Sequence, residues 1–420
     1  MSTDLWSTLP PEISIQIANH NAEDVDALRA MRLVSKEMRD VATKALFSAL
    51  YFASPDDIQR WLLATEDLPF LVSAVRKLRL SIPLDGPPAL PRLENVEEVI
   101  WFRNQPWNTD IATTYMQDVF PAATRLSFLH VQFEDISHVT SILRSSNPLN
   151  SLTFQYCTLA SYARPTAGDV YPRVDWSQMN VARICGNSFG LEAKALPLAT
   201  QLFSNSRPLS TALQQLSMLL WRDFYNVSSE DSNGLPMQLI LLRYSVQSLT
   251  HLAINPNLGE RWGLNDMLNR TLKQFPPFDA LLDLTIHFGR LGFDSSHAEA
   301  FFDALPLLPR LSTLRFVFRL TGTPDDYKWF KNVFAWKPTA LTQASLQERC
   351  PNIANLVWVF RVAEYVYTQL AVTTTPCTSD YRLGIERLLS GRLEEIGVCD
   401  LFPMTIEWLD GQHNPLIIED

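Results

Sequence analysis

Apolar residues recur at every third or fourth position along the first fifty residues of the chain. Pro10 and Pro11 open a short segment in which Ile13 and Ile17 stand one helical turn apart. A longer segment, residues 26–47, continues this spacing. The spacing predicts two or three short amphipathic helices, whose apolar stripes are too extensive for so few residues to bury alone. Either the rest of the chain or a second protein must therefore cover them.

From residue 75 onward the chain repeats the pattern apolar-x-x-apolar-x-apolar ten times, with most copies about 21 to 42 residues apart. Each copy predicts a short strand, and the amphipathic stretches between copies predict return helices. One gap of about 64 residues is predicted to hold a degenerate copy. Neighbouring units must stack, because one strand with its return segment cannot bury an apolar face alone. The copies begin at Val75, Val96, Ala123, Leu149, Leu213, Leu249, Leu281, Leu311, Ile353 and Leu393.

Composition narrows the classes of function. A net charge of -10 over 420 residues argues against a nucleic-acid partner, which requires clustered Lys and Arg. No apolar run approaches the roughly 18 residues that a membrane span needs, and Asp4, Pro10 and Glu12 interrupt any secretion signal. We therefore expect no membrane partner. The five cysteines lack metal-ligand or paired spacing, which favours a reducing compartment, the cytoplasm, the nucleus or both.

A catalytic site has weak support in the sequence. The segment GNSFG, residues 186–190, fits the nucleophile elbow of hydrolases around Ser188. No oxyanion-hole segment lies upstream of it, so a turn is the favoured interpretation and a Ser188 hydrolase stays an alternative. The seven histidines are scattered, and no glycine-rich phosphate-binding pattern occurs. We therefore expect a chain with no catalytic residues, no metal and no cofactor.

The N-terminal pattern resembles a known docking module. Leu-Pro-Pro-Glu-Ile at residues 9–13, followed by Arg-Leu-Val-Ser-Lys at residues 32–36, is similar to the F-box. The resemblance covers about 40 residues and departs from the family at Asn21, where a Leu is usual. It implies docking on the Skp adaptor of cullin-based ubiquitin ligases. The adaptor contacts that it implies are Leu9, Pro10, Ile13, Ile17, Leu28, Leu33, Val34 and Ser35.

The strand-forming pattern resembles the leucine-rich repeat. Residues 149–159 match the consensus of that repeat at every position. This implies an α/β fold in which a short three-helix F-box precedes an irregular leucine-rich-repeat solenoid, shaped as a horseshoe or arc. Residues between the leucines would then line a concave face that binds a target. For its apolar members, contact with a partner and burial under a loop both stay open. The predicted face comprises Arg79, Ile100, Phe102, Leu129, Gln155, Asn255, His287, Arg315, Val357 and Val359.

These resemblances together predict four segments and a function. The segments are an F-box module at 1–50, a linker helix at 51–74, the repeat domain at 75–405 and a tail at 406–420. The expected function is substrate recognition in a Skp-cullin-F-box ubiquitin ligase, with the adaptor, a cullin-RING ligase and an unknown protein target as partners. The alternative is a non-catalytic binding or scaffold protein that acts outside ubiquitination.

Overall fold

The structure of the protein is a computed structural model in which two compact units are distinguished. The first comprises residues 1–163 with 168–178, and the second comprises residues 164–167 with 179–420. The structure describes residues 10–21, 24–82, 90–103, 108–134, 136–146, 148–155, 157–159, 178–185, 213–219, 242, 245–254, 269–270, 272–288, 301, 303–320, 347–362, 379–395 and 404–409.

The first unit opens with three helices, α1 (Pro11–His20), α2 (Val25–Met31) and α3 (Lys36–Leu46). The amphipathic helices predicted at these positions are confirmed. The Asp24 carboxylate accepts a hydrogen bond from the backbone N–H of Ala27 at 2.8 Å and thereby caps α2. Ser35 caps α3 in the same way. The buried residues of this helical cluster are Ala18, Leu28, Ala42 and Ala45, with Met31, Val41 and Leu46 packed against them.

Strand β1 (Ala49–Phe52) follows α3 directly, and the predicted linker helix then appears as α4 (Pro55–Asp67). A capping box starts α4, because Ser54 accepts from the Asp57 N–H while the Asp57 carboxylate accepts from the Ser54 N–H at 2.9 Å. The hydrogen bond from the Ser54 hydroxyl also lowers the pKa of Asp57. A short helix, α5 (Phe70–Ala74), completes the passage to the sheet.

Within the described residues, the first unit contains five parallel strands in the hydrogen-bonded order β1-β2-β3-β4-β6. A separate pair, β5 with β7, is also parallel. Helix α6 continues without a break into a π-helical turn at Tyr115–Val119. The remaining elements of this unit are β2 (Lys77–Leu80), β3 (Glu98–Phe102), α6 (Thr109–Thr114), β4 (Arg125–Leu129), β5 (Gln132–Phe133), α7 (Ile136–Ser145), β6 (Ser151–Gln155) and β7 (Thr158–Leu159).

One row of large side chains fixes the register of these strands. Cross-strand partners run from Phe52 through Leu80, Trp101 and Phe128 to Phe154, and all five are buried. The rings of Phe128 and Phe154 stack with centroids 5.4 Å apart. Burial of each such side chain contributes about 1.5–3 kcal/mol. A slip by one residue would move the whole row to the other face of the sheet.

The second unit contains seven parallel strands in the order β8 to β14 and one long helix, α8 (Ser379–Glu395), among the residues that the structure describes. Its core again consists of cross-strand rows, such as Ile286, Phe316 and Trp358. The strands are β8 (Val181–Cys185), β9 (Gln215–Leu219), β10 (His251–Ile254), β11 (Asp283–Phe288), β12 (Thr313–Leu320), β13 (Asn355–Val362) and β14 (Met404–Leu409).

Nine of the ten predicted strand copies are confirmed as strands. The tenth prediction, the copy at Leu393, is wrong because Leu393 belongs to α8. Strand β8 lies in the long gap that was predicted to hold a degenerate copy. The repeat pattern did not predict β1 or β14. The segment boundaries predicted at residues 50 and 405 fall inside these two strands.

The predicted three-helix F-box followed by an irregular leucine-rich-repeat solenoid is wrong. The described residues form an α/β structure with fourteen strands in parallel ladders and nine helices, counting the π-helical turn. The N-terminal helices belong to the first compact unit, and only two residues separate α3 from β1, which pairs with β2. Alternating apolar positions record one buried face of a strand and say nothing of how the strands are connected, so the pattern located the strands without specifying a solenoid.

Candidate functional site

The N-terminal helices expose several large apolar side chains. Leu33, in the turn between α2 and α3, is 85% exposed, and its neighbour Val34 is 37% exposed. Helix α1 exposes Ile13 and Ile15 to a similar extent as Val34. Each large apolar side chain left in water forgoes about 1.5–3 kcal/mol of stabilisation. These residues are therefore candidates for contact with another protein.

The predicted adaptor contacts differ in how far the structure exposes them to solvent. Pro10, Ile13, Leu33 and Val34 are exposed, and Ile17 is half-buried. The Ser35 hydroxyl accepts a hydrogen bond from the backbone N–H of Met38 at 3.1 Å, and this hydrogen bond caps the start of α3. Leu9 lies outside the described residues.

Leu28, one of the predicted adaptor contacts, is not on the surface of the chain. It is completely buried in the cluster with Ala18, Ala42 and Ala45, so it belongs to the core of the chain and not to its surface. The helical spacing placed Leu28 correctly on an apolar stripe. That spacing could not distinguish the part of the stripe that packs inside the chain from the part left outside.

The predicted concave binding face also requires correction. Seven of its ten residues are buried, which excludes them from an open binding surface in this structure: Ile100, Phe102, Leu129, Gln155, His287, Val357 and Val359. Val357 and Val359 pack with Val317 in a hydrophobic cluster. The alternative of burial therefore holds for the apolar members. Asn255 lies outside the described residues, and Arg79 and Arg315 are only partly buried.

Arg79 lies in an aromatic environment near the carboxyl end of β2. Its guanidinium carbon is 4.9 Å from the ring centroid of Tyr51 and 4.0 Å from that of Phe102. Such cation–π contacts contribute about 0.5–1 kcal/mol each at exposed sites and more when desolvated. Burial lowers the pKa of Arg79, Tyr51 opposes this change, and the positive charge of Arg103 adds to it. Guanidinium groups nevertheless stay protonated at neutral pH.

Two further residues, missed in the sequence, reach the same ring. The guanidinium carbon of Arg103 lies 5.0 Å from the Phe102 centroid, and the His130 ring meets Phe102 edge to face at 5.9 Å. Arg103 and His130 directly follow β3 and β4, and both have positive φ angles, 52° and 55°. Their backbone N–H groups donate to Leu129 and Gln155 on the next strand. We call Tyr51, Arg79, Phe102, Arg103 and His130 the arginine–aromatic cluster.

The opposite ends of the same strands carry paired charges. Lys77 Nζ lies 3.3 Å from a carboxylate oxygen of Glu98, and Arg125 bridges Glu97 at 3.2 Å and Glu98 at 4.0 Å. In the second unit, Arg315 pairs with Asp283 at 3.2 Å. Arg315 is therefore held by a neighbouring strand, whereas no described carboxylate forms a salt bridge with Arg79 or Arg103.

The described residues offer little nucleophilic or metal-binding chemistry. Burial raises the pKa of the thiols of Cys157 and Cys350 to about 12, so both stay protonated at neutral pH. No group of three metal-ligating side chains occurs in this part of the chain. None of its helices has the length and apolar character required to cross a membrane. Ser188 lies outside the described residues.

Comparison with known proteins adds no assignment. No protein-family model matches the chain. A search of curated proteins finds none that is significantly similar to it. The resemblance to F-box proteins therefore rests on the residues at 9–13 and 32–36.

Proposed function

We propose that this chain recognises substrates for a Skp-cullin-F-box ubiquitin ligase and docks on the Skp adaptor through its N-terminal helices. The observation that carries the proposal is the exposure of Ile13, Leu33 and Val34, which all belong to the F-box-like pattern. Apolar residues at these positions are costly in a monomer and become favourable once a partner removes them from water.

The helices have a core of their own that can hold such a surface in shape. Leu28 and the small residues Ala18, Ala42 and Ala45 are buried between α1, α2 and α3. Capping by Asp24 and Ser35 fixes the starts of α2 and α3, which flank the turn that carries Leu33. A partner would therefore meet a preorganised turn, which lowers the entropic cost of binding.

In this role the chain contributes no covalent chemistry. Ubiquitin transfer belongs to other subunits, and the chain supplies proximity and orientation of a protein target. The cullin-RING ligase is reached through the adaptor, and the compartment is the cytoplasm, the nucleus or both. The proposal makes no use of a leucine-rich-repeat surface.

Co-expression of the full chain with a Skp adaptor tests the proposal. We expect the wild-type chain to co-purify with the adaptor and the double variant Ile13→Asp with Leu33→Asp to lose at least about tenfold in recovery. The matched control is Leu63→Asp, because Leu63 on α4 is also an exposed leucine, 62% accessible, but lies outside the F-box-like pattern. This control should co-purify like the wild type.

Two outcomes would overturn docking through this surface: a wild-type chain that never retains the adaptor, or equal recovery of the double variant and Leu63→Asp. Probing the purified complex for a cullin separates the ligase role from the alternative. Recovery of the adaptor without a cullin would favour the non-catalytic binding or scaffold protein that acts outside ubiquitination.

A further inference from the structure

Among the described residues, no ion pair balances the positive charge of the arginine–aromatic cluster. Arg79 and Arg103 both lie against Phe102, at 4.0 Å and 5.0 Å from its centroid, so their guanidinium carbons are at most about 9 Å apart. Within the described ranges, neither arginine has a carboxylate partner in a salt bridge. Two like charges held this close repel each other unless an anion lies between or beside them.

The hydrogen-bonding capacity of Arg79 is also incompletely used. Its Nε is buried and has no hydrogen-bond partner among the residues that the structure describes. A buried donor without an acceptor is costly, so the described groups of the chain do not satisfy this guanidinium. The planar guanidinium presents donors in a fork that matches the oxygens of a phosphate or carboxylate group.

The backbone holds the cluster together at one edge of the sheet. Arg103 and His130 occupy equivalent positions after β3 and β4, and each adopts a left-handed conformation that is unfavourable for a residue with a side chain. Backbone hydrogen bonds of 3.0 Å to Leu129 and 2.8 Å to Gln155 stabilise these conformations. Ligands of parallel sheets commonly bind outside the carboxyl ends of the strands, which is where the cluster lies.

The cluster is also accessible. Tyr51 is 50% exposed, Arg103 is exposed, and Arg79 and His130 are half-buried, while Phe102 forms the buried floor. An incoming group can therefore reach both guanidinium groups from solvent. Only three basic side chains take part, which suits one oxyanion and not a polyanion such as nucleic acid.

We propose that Arg79, Arg103 and His130 form a binding site for the phosphate group of a phosphate monoester. A dianionic phosphate balances both guanidinium charges, whereas a carboxylate balances only one. The ligand can be a free phosphorylated small molecule or a phosphorylated side chain of a protein partner, since the chemistry at the site is the same. This site goes beyond adaptor docking and involves none of the exposed residues of α1 or the turn before α3.

Calorimetric titration of the full chain with inorganic phosphate, phenyl phosphate and acetate tests the site. We expect saturable binding of the two phosphates and markedly weaker binding of acetate. Arg79→Gln and Arg103→Gln should each weaken phosphate binding at least about tenfold, and Arg79→Lys should weaken it less because the charge is retained. The matched control is Arg125→Gln, since Arg125 lies at the other end of the neighbouring strand and pairs with Glu97. It should bind phosphate like the wild type.

A phosphoserine peptide and its unphosphorylated counterpart distinguish the two sources of the phosphate group. Tighter binding of the phosphopeptide than of phenyl phosphate supports a protein partner, and the reverse order supports a small molecule. The Ile13→Asp and Leu33→Asp double variant should bind phosphate normally, so failure of adaptor docking leaves this test intact. The site is overturned if no phosphate binds saturably, or if Arg125→Gln weakens binding as much as Arg79→Gln.

Discussion

The two ends of strands β2, β3 and β4 hold their positive charges by different means. At the amino ends, Lys77 and Arg125 share the carboxylates of Glu97 and Glu98. At the carboxyl ends, Arg79 and Arg103 lie instead against the ring of Phe102. Ion pairs satisfy both partners within the chain, whereas an aromatic ring supports a cation and leaves its charge available to a ligand. The difference separates a stabilising surface from a candidate binding surface.

The largest expected effect comes from removing the ring of Phe102, against which Arg79 and Arg103 lie. Phe102→Ala should lower the free energy of unfolding by about 3–5 kcal/mol, because Phe102 is buried and its loss leaves a cavity. Phe102→Leu should cost less than about 1.5 kcal/mol, since it keeps most of the volume. Denaturant unfolding measures both values. Equal costs for the two variants would contradict the cavity argument and assign the loss to the aromatic ring, on which Arg79 and Arg103 lie.

Charge removal at the two ends should differ in its effect on stability. Glu98→Gln removes the partner that Lys77 and Arg125 share and should destabilise the chain by about 0.5–1 kcal/mol. Arg103→Gln removes a like-charge repulsion together with a cation–π contact to Phe102, and because the two offset each other it should leave stability nearly unchanged in phosphate-free buffer. Added salt should reduce the effect of Glu98→Gln, because it screens the ion pairs. Equal destabilisation by both substitutions would mean that the contact with Phe102 outweighs the repulsion between the two arginines.

The smallest effect should appear in the dependence of stability on pH. Burial, with a further contribution from Arg103, lowers the pKa of His130. Below about pH 6.5 the unfolded chain takes up a proton at this residue more readily than the folded chain. The contribution of His130 to the free energy of unfolding should therefore fall as the pH drops from about 6.5 through the lowered pKa of the folded state.

Thermal unfolding across this pH range, with His130→Gln as the reference, isolates that contribution. Arg103→Gln should make the fall smaller, because it removes the cation that disfavours the protonated ring. Arg125→Gln should leave the fall unchanged. An identical pH dependence in the wild type and His130→Gln would contradict the assignment.

The positions of most strands and of the N-terminal helices could be predicted from the sequence, because alternating and helical apolar patterns record which side chains are buried. The start of α4 could also be predicted, since Ser54 is a favoured capping residue and Pro55 is favoured at the first helical position. The fold could not be predicted from the same pattern, because alternation records one buried face of a strand and not the connections between strands. Strand β1 was missed, since its four residues directly follow a helix.

The arginine–aromatic cluster could not be predicted in the same way. Arg79, Arg103 and His130 are far apart in the chain, and only the parallel register of β2, β3 and β4 brings them to one ring. A weak signal did exist, because Arg103 and His130 each lie two residues after the end of a predicted strand copy. The burial of Phe102 and the left-handed backbone of its neighbours needed the structure to be seen.

The short step from α3 into β1 has a mechanical consequence. Phe47 and Ser48 alone join the helix to the strand, and the Ser48 carbonyl accepts hydrogen bonds from Arg76 and Lys77 at the start of β2. Because this connection is so short, any movement of α3 is transmitted directly to β1. Tyr51 lies further along the same strand, beside Arg79, so a displacement of α3 passes along β1 towards the arginine–aromatic cluster.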